Sequence, residues 1–302
     1  MMKLALGTVQ FGLNYGISNQ QGQVSPNQVK DILLQAQALG IDTLDCAGAY
    51  GNSEKVLGEL GASERFNLIS KIPTLTADKN SITPYLEQSL TDLQCTSVQT
   101  LLFHQADNLL NHPSKTQLFS ELLKLKVQKK VNSIGVSVYN PEQLTAIAKQ
   151  YPIDIVQAPI NVFDQRFISK NIIELCRTNK IKLHARSLFL QGLLFIEKSQ
   201  IKPYFKPYQE KLAAFSALAQ SLSCSKLTLA LALLAQDSLD EKEVNLYGNV
   251  IEKLVIGVCS KQQLLEVVSA YQQAKSLAVT SEELSILADT RLGFINPSLW
   301  QI

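Results

Sequence analysis

The sequence predicts an α/β fold, a single (β/α)8 TIM barrel running over residues 1–302, and three observations carry that expectation. Eight short runs rich in Val, Ile and Leu recur along the chain. Segments of helical period separate them. No G-x-G-x-x-G turn follows the first run. Alternation of this kind marks βαβ units and a parallel sheet. Eight repeats suit a closed barrel, whereas an open doubly wound sheet has fewer strands and a glycine-rich first turn. Length alone would allow two domains, yet no internal repeat, low-complexity tract or linker rich in Pro, Gly and Ser divides the chain.

The elements follow in order. The first strand is expected at residues 3–8 (KLALGT). Ser25-Pro26 with Gln28 then supplies an N-cap, a proline in the first turn and a capping-box partner. Val29, Ile32, Leu33 and Ala36 form the apolar face of that helix, and Gly40 ends it. The second strand, 41–45 (IDTLD), ends in Asp45; small residues lead from it to Tyr50 and a new helix. A third strand at 66–71 (FNLISK) ends in Lys71, and Thr83-Pro84 opens a helix with Leu86, Leu90 and Leu93 on one face. The fourth strand, 98–104 (VQTLLFH), ends in His104 and is followed by a helix at 114–130. After the fifth strand, 133–137 (SIGVS), Asn140-Pro141 with Gln143 starts the next helix. The sixth strand, 153–157 (IDIVQ), leads to a helix at 169–179. The seventh, 181–186 (IKLHAR), leads to an irregular stretch at 187–206 and a helix at 207–235. The eighth, 253–257 (KLVIG), precedes helices at 260–274 and 281–288.

Composition excludes several function classes. The 46% hydrophobic and 18% charged content is that of an ordinary globular protein, not a disordered one. The 28 basic and 26 acidic residues give a net charge of +2 with no long run of either sign, so nucleic acid and membrane surfaces have no electrostatic claim on the chain. The first residues carry no signal-peptide pattern, and no apolar run is long enough to span a bilayer. The expected location is the cytoplasm. Five cysteines at unrelated spacings form no C-x-x-C pair and read as reduced, mostly buried side chains. His112 reads as loop surface and His184 as a packed strand residue.

In a barrel of this kind the site is built at the C-terminal ends of the strands. There the sequence places Asp45, Lys71, His104, Ser137, Gln157, and Arg186 with Ser187. A free tyrosine, with a pKa of about 10, donates a proton poorly at neutral pH unless a nearby cation lowers that value. Lys71 can supply the cation, and Asp45 the anion that keeps a buried lysine charged. Asp45, Tyr50 and Lys71 therefore form a coherent proton relay, with His104 placed to hydrogen-bond a substrate carbonyl.

These residues resemble the aldo-keto reductase family. Its signature D-x-A-x-x-Y-G-x-S-E stands here as D-C-A-G-A-Y-G-N-S-E, and its catalytic tetrad falls on Asp45, Tyr50, Lys71 and His104. The resemblance implies reduction of a small-molecule carbonyl to the alcohol, with a hydride from a nicotinamide cofactor and a proton from Tyr50. It extends along the chain. L-G-T-V-Q-F-G resembles the family's first strand and puts Gly7 and Thr8 beside the cofactor. I-G-V-S-V-Y-N resembles its fifth strand and brings in Ser137, while Gln157 in V-Q-A-P-I-N matches a glutamine that holds the carboxamide. A-R-S-L-F-L-Q-G-L-L resembles the segment passing the nicotinamide and pyrophosphate, which implies Arg186, Ser187, Phe189, Gln191 and Gly192 as contacts. V-I-G-V-C-S-K-Q-Q-L-L-E resembles the adenosine segment and implies Gly257, Ser260, Gln263 and Glu266.

The chain also departs from the pattern. Val138 stands where many members carry Asn, and Val267 follows Glu266. The positions that read a 2′-phosphate in many members fall on Gly257 and Gln263, both uncharged, leaving Lys261 as its partner. The resemblance favours NADP(H), with NAD(H) the alternative. Two other readings compete: a non-catalytic, nicotinamide-binding regulatory protein on the same barrel, against which the complete tetrad speaks, and a metal-dependent hydrolase using His104 and Asp45. The latter lacks the His-x-His pair or clustered carboxylates that such a site needs, so no metal is expected. The N-terminal L-N-Y-G-I-S-N and the A-R-S-L-F-L-Q-G pattern resemble a branch linked to carbohydrate metabolism, which suggests a sugar-type carbonyl.

Overall fold

The computed structural model describes residues 2–236 and 250–301; Met1, 237–249 and Ile302 of the expected 1–302 barrel lie outside the described residues. Eight parallel strands close into a barrel in sequence order: β1 (Leu4–Gly7), β2 (Thr43–Asp45), β3 (Asn67–Ile72), β4 (Val98–Phe103), β5 (Val131–Ser137), β6 (Ile155–Pro159), β7 (Lys182–Arg186) and β8 (Ile251–Gly257). Consecutive parallel strands need a crossover each time, which the intervening helices supply. The ring closes where β8 pairs with β1, Leu4 opposite Leu254 and Gly7 opposite Gly257.

Strand periodicity sets where the chemistry can stand. Ile69, Leu102 and Ile155 form a small apolar plug of their own, separate from the large core between strands and helices. Side chains two residues apart on a strand share a face. Two residues beyond the plug on the same strands or just past their ends come Lys71, His104 and Gln157. These three polar side chains thus stand one step above an apolar layer, at the C-terminal mouth of the barrel.

Local signals in the sequence reappear as contacts. Ser25 accepts from Gln28 N while the Gln28 side chain accepts from the Ser25 backbone, and helix Pro26–Ala38 starts from that box. Asn140 and Ser260 cap helices Pro141–Ala148 and Lys261–Ala274 by accepting from Gln143 N and Gln263 N.

Three expectations are corrected. The helix expected at 207–235 is two helices, Gln209–Ser221 and Lys226–Ala235, and the chain bends by 89° between the run Pro203–Ser221 and the second of them. Ser223 takes a left-handed conformation at the bend, and Ser225 caps the second helix by accepting from Thr228 N. The stretch 187–206 carries short 3-10 turns, within Leu190–Phe195, where left-handed Gln191 and Gly192 break the run, and at Lys198–Gln200 and Pro203–Tyr208. His112 is buried, not loop surface: its Nδ1 accepts from Ser114 N, leaving Nε2 to donate to Thr76 O at 3.0 Å. His184 is packed as expected, with Nε2 2.8 Å from Glu252 Oε2.

Candidate active site

Tyr50 is seated by close backbone packing. Helix Val9–Gly12 runs against the turn that carries the tyrosine, and a Cβ on Gly12 would lie 1.8 Å from Tyr50 O and 2.5 Å from Ser53 N. On the other side of the contact, Gly51 adopts a left-handed φ of +59°, and a Cβ there would lie 2.3 Å from Gly12 O. Side chains larger than hydrogen cannot occupy either position without moving backbone. Ser53 completes the joint by donating to Thr8 O at 2.9 Å, and Thr8 Oγ1 donates to Asp45 O at 3.1 Å.

The structure brings together Asp45, Tyr50 and Lys71, the three side chains that the sequence pointed to as a relay. Lys71, buried at the end of β3, donates to Asp45 Oδ1 at 2.8 Å, to Cys46 O at 2.8 Å and to Tyr50 Oη at 3.3 Å. An ammonium group has three donors, so this one is saturated. Its nitrogen also lies 4.9 Å from the Tyr50 ring centroid, and the Tyr50 and His104 rings meet edge to face at 5.7 Å. Burial alone would pull the Lys71 pKa down, but Asp45 and then Tyr50 hold it above the ordinary lysine value.

Tyr50 behaves differently from the sequence expectation. Burial outweighs Lys71, the strongest opposing influence, and the hydroxyl sits above the ordinary tyrosine pKa instead of below it. It therefore keeps its proton at neutral pH, and a developing alkoxide, far more basic than a phenolate, can still take it. His104 is pushed down to about 4, by burial first and the Lys71 charge second, so its imidazole is neutral and can donate one hydrogen bond and accept another.

Above these groups lies a cleft of about 780 Å³, within the range of small-molecule and cofactor sites. Of the residues that the sequence pointed to, Gly7, Thr8, Asp45, Tyr50, His104, Gln157, Arg186, Ser187, Phe189, Gln191, Gly192, Gly257, Gln263 and Glu266 line it. Lys71 lies beneath. Ser137, Ser260 and Lys261 are not among its walls: Ser137 accepts from Arg186 Nε at 3.3 Å, Ser260 accepts from Gln263 N, and Lys261 is exposed. Gln157 donates to Asp45 Oδ1 at 2.7 Å, which orients the carboxylate toward Lys71.

The structure adds residues that sequence reasoning missed. Tyr15, Gly16 and residues 18–21 form part of the wall, and Ile17 N donates to Gln191 O at 3.1 Å, so the loops after β1 and β7 meet. Tyr139 lines the cleft beneath the Arg186 guanidinium, 4.3 Å from its ring centroid. Gln10 folds over Gly257, where a Cβ would lie 2.7 Å from its Nε2, and its Oε1 is buried with no hydrogen-bond partner. Glu54, the last residue of the D-x-A-x-x-Y-G-x-S-E motif, is buried with its carboxylate accepting from Ser70 Oγ at 2.6 Å, which ties the Tyr50 segment to the strand of Lys71. Among the described residues no three His, Cys, Asp or Glu side chains group as a metal site would require, and no single helix is long and apolar enough to cross a membrane.

Comparison with known proteins gives a consistent result. The model of the Aldo/keto reductase family matches residues 3–285. The oxidoreductase YdhF of Escherichia coli K12 is 24% identical over 233 residues, 70% of this chain and 75% of its own length. The aldo-keto reductase YhdN of Bacillus subtilis 168 is 27% identical over 169 residues, 51% of this chain and 50% of its own. Among solved structures, the holo form of aldo-keto reductase AKR11C1 from Bacillus halodurans superposes with a TM-score of 0.73 at 17% identity, covering 95% of this chain and 92% of that one. Identity that low speaks to the barrel alone.

Proposed function

We propose, from the premise that the chain belongs to the aldo/keto reductase family, that it is a single barrel domain over 1–302 reducing an aldehyde or ketone, with Tyr50 as proton donor. The observation that carries this reading is the saturated Lys71 ammonium joining Asp45 to the Tyr50 hydroxyl in one buried network.

Each side chain has a separable task. Tyr50 protonates the oxygen that becomes the alcohol. Lys71 stabilises the phenolate that is left, and Asp45, oriented by Gln157, keeps Lys71 charged. Neutral His104 donates to the carbonyl oxygen and so fixes which atom faces Tyr50.

A bound reduced nicotinamide supplies the hydride. The cleft fits such a group: it has the volume, and Gln10 Oε1 is an unpartnered acceptor that a ligand donor would satisfy. Gly7, Thr8, Ser187, Phe189, Gln191, Gly192, Gly257, Gln263 and Glu266 would hold it. The bond from Gln157 Nε2 to Asp45 leaves the amide oxygen to accept from a carboxamide. NADP(H) is favoured over NAD(H), with the exposed Lys261 at the start of helix Lys261–Ala274 as the cation for a 2′-phosphate. Five free thiols suit a reducing cytoplasm.

The test is a fluorescence titration of the purified protein with NADPH and with NADH, followed by turnover of a panel of aldehydes that includes sugar aldehydes. Tyr50→Phe should bind cofactor as the unchanged protein does and lose roughly 10²- to 10⁴-fold in turnover, the usual contribution of a general acid. Equal turnover by the variant would remove Tyr50 from this role.

A further inference from the structure

We infer that Arg186 makes the cleft discriminate between the two redox states of a nicotinamide, favouring the neutral reduced ring over the cationic oxidised one. The inference rests on the nicotinamide reading above and adds a direction to it.

Two cations stand near the reacting end of the cleft, and they differ in compensation. Lys71 is paired with Asp45 at 2.8 Å. Arg186, at the end of β7, is held only by neutral acceptors: its Nε donates to Ser137 Oγ at 3.3 Å, one terminal nitrogen to Ser187 Oγ at 3.2 Å and the other to Val138 O at 3.2 Å. The flat face of the guanidinium lies over Tyr139. Among the described residues no carboxylate oxygen comes within ion-pair distance of it. Its charge is therefore fixed in position by three hydrogen bonds and is not neutralised.

Arg186 shares the cleft wall with Tyr50 and His104. Its field reaches both, contributing to the lowering of the His104 pKa and opposing the rise at Tyr50. Hydride transfer demands that the donor ring lie against the carbon whose oxygen Tyr50 protonates. A ring so placed is neutral when reduced and carries one positive charge when oxidised. An unpaired guanidinium tolerates the first, since its weakly hydrated plane packs well against flat groups, and repels the second. Such a site takes up reduced cofactor and releases the oxidised form readily, which suits carbonyl reduction over alcohol oxidation.

The experiment compares dissociation constants, measured by calorimetric titration with NADPH, NADP+, NADH and NAD+, for the unchanged protein, Arg186→Met and Arg186→Lys. The unchanged protein should bind the reduced form of its cofactor more tightly. Arg186→Met should narrow the oxidised-to-reduced ratio by on the order of tenfold, the scale expected for like charges several ångströms apart at a partly buried site. The change should come mainly from tighter binding of the oxidised form. Arg186→Lys, which keeps the charge, should retain most of the preference and covers the case in which the methionine variant fails to fold. An unchanged ratio in Arg186→Met, or equal weakening of both forms as loss of a phosphate contact would give, overturns the inference. Failure of the unchanged protein to bind any of the four overturns instead the nicotinamide reading beneath it.

Discussion

Replacing Asp45 by Asn tests the buried charge network most directly, because the substitution keeps the shape of the side chain and an acceptor for Gln157 while removing the anion. Lys71 and Asp45 have side-chain exposures of 0% and 5%, so solvent does little to replace the lost partner. Breaking a buried pair from one side costs about 3–5 kcal/mol. Lys71 keeps Cys46 O and Tyr50 Oη as acceptors, which puts the expected loss near the lower end, about 3 kcal/mol. At roughly 2–4 °C per kcal/mol for a chain of this size, Tm should fall by about 6–12 °C.

The loss should also depend on pH. In the unchanged protein the Lys71 pKa is raised above 10.5, so its contribution is fully present below that value and is lost only as pH rises through the higher folded-state value. Without Asp45, burial becomes the ruling influence and draws the pKa below the unfolded one. The folded variant then sheds a proton that the unfolded chain retains, and its stability climbs with pH toward 10.5. Thermal unfolding at about pH 7 and about pH 9.5 should therefore show the gap between the two proteins narrowing at the higher pH. A gap that stays constant, or a loss below about 1 kcal/mol at neutral pH, would refute the reasoning. Adding Lys71→Met to Asp45→Asn should cost less than the sum of the single changes, since the double variant leaves no unpaired charge.

Two further outcomes follow from the same geometry. Gly12→Ala forces a methyl group onto Tyr50 O and Ser53 N; it should destabilise by about 1–3 kcal/mol or more and lower kcat by displacing Tyr50, and normal turnover at normal Tm would show that this contact does not seat the tyrosine. His104, with a pKa of about 4 against an ordinary 6.5, should contribute its full stability above about pH 6.5 and lose it as pH falls from there through about 4; ring chemical shifts followed by NMR would show a midpoint near 4, and a midpoint near 6.5 would contradict the burial argument.

The barrel and Asp45, Lys71 and His104 were legible because strand ends are local features: an apolar run that meets Asp45 or Lys71 announces both the strand and the polar side chain, whereas Tyr50, past the end of β2, was carried by the D-x-A-x-x-Y-G-x-S-E motif. Contacts made across the chain left no such trace. The helix opened by Thr83-Pro84 has no cap of its own; Glu121, from a later helix, accepts from Ile82 N and Thr83 N instead. Likewise Gln157 reaches Asp45 across 112 residues, and His112 is buried because Thr76 waits for it. The inversion at Tyr50 is of another kind. Sequence names the neighbouring cation but not the depth of burial, and burial decides the sign. Tyr15 and Tyr139 lie in irregular segments past strands and Gln10 in the one-turn helix Val9–Gly12, stretches too short or too irregular for side-chain direction to be read from a period.

The seam between β1 and β8 has a consequence for synthesis. Gly7, Thr8 and Gln10 are synthesised more than two hundred residues before Gly257, Gln263 and Glu266, which complete the same part of the cleft across the β1–β8 seam. At roughly 5–20 residues per second the first strand waits about 10–50 s for its partner. During that time β1 presents an unpaired edge of apolar residues, Leu4 to Leu6. An edge of that kind invites pairing with other chains, so the nascent chain has its greatest need of a chaperone before the last strand arrives, and truncation just short of residue 251 should yield aggregates instead of an open barrel.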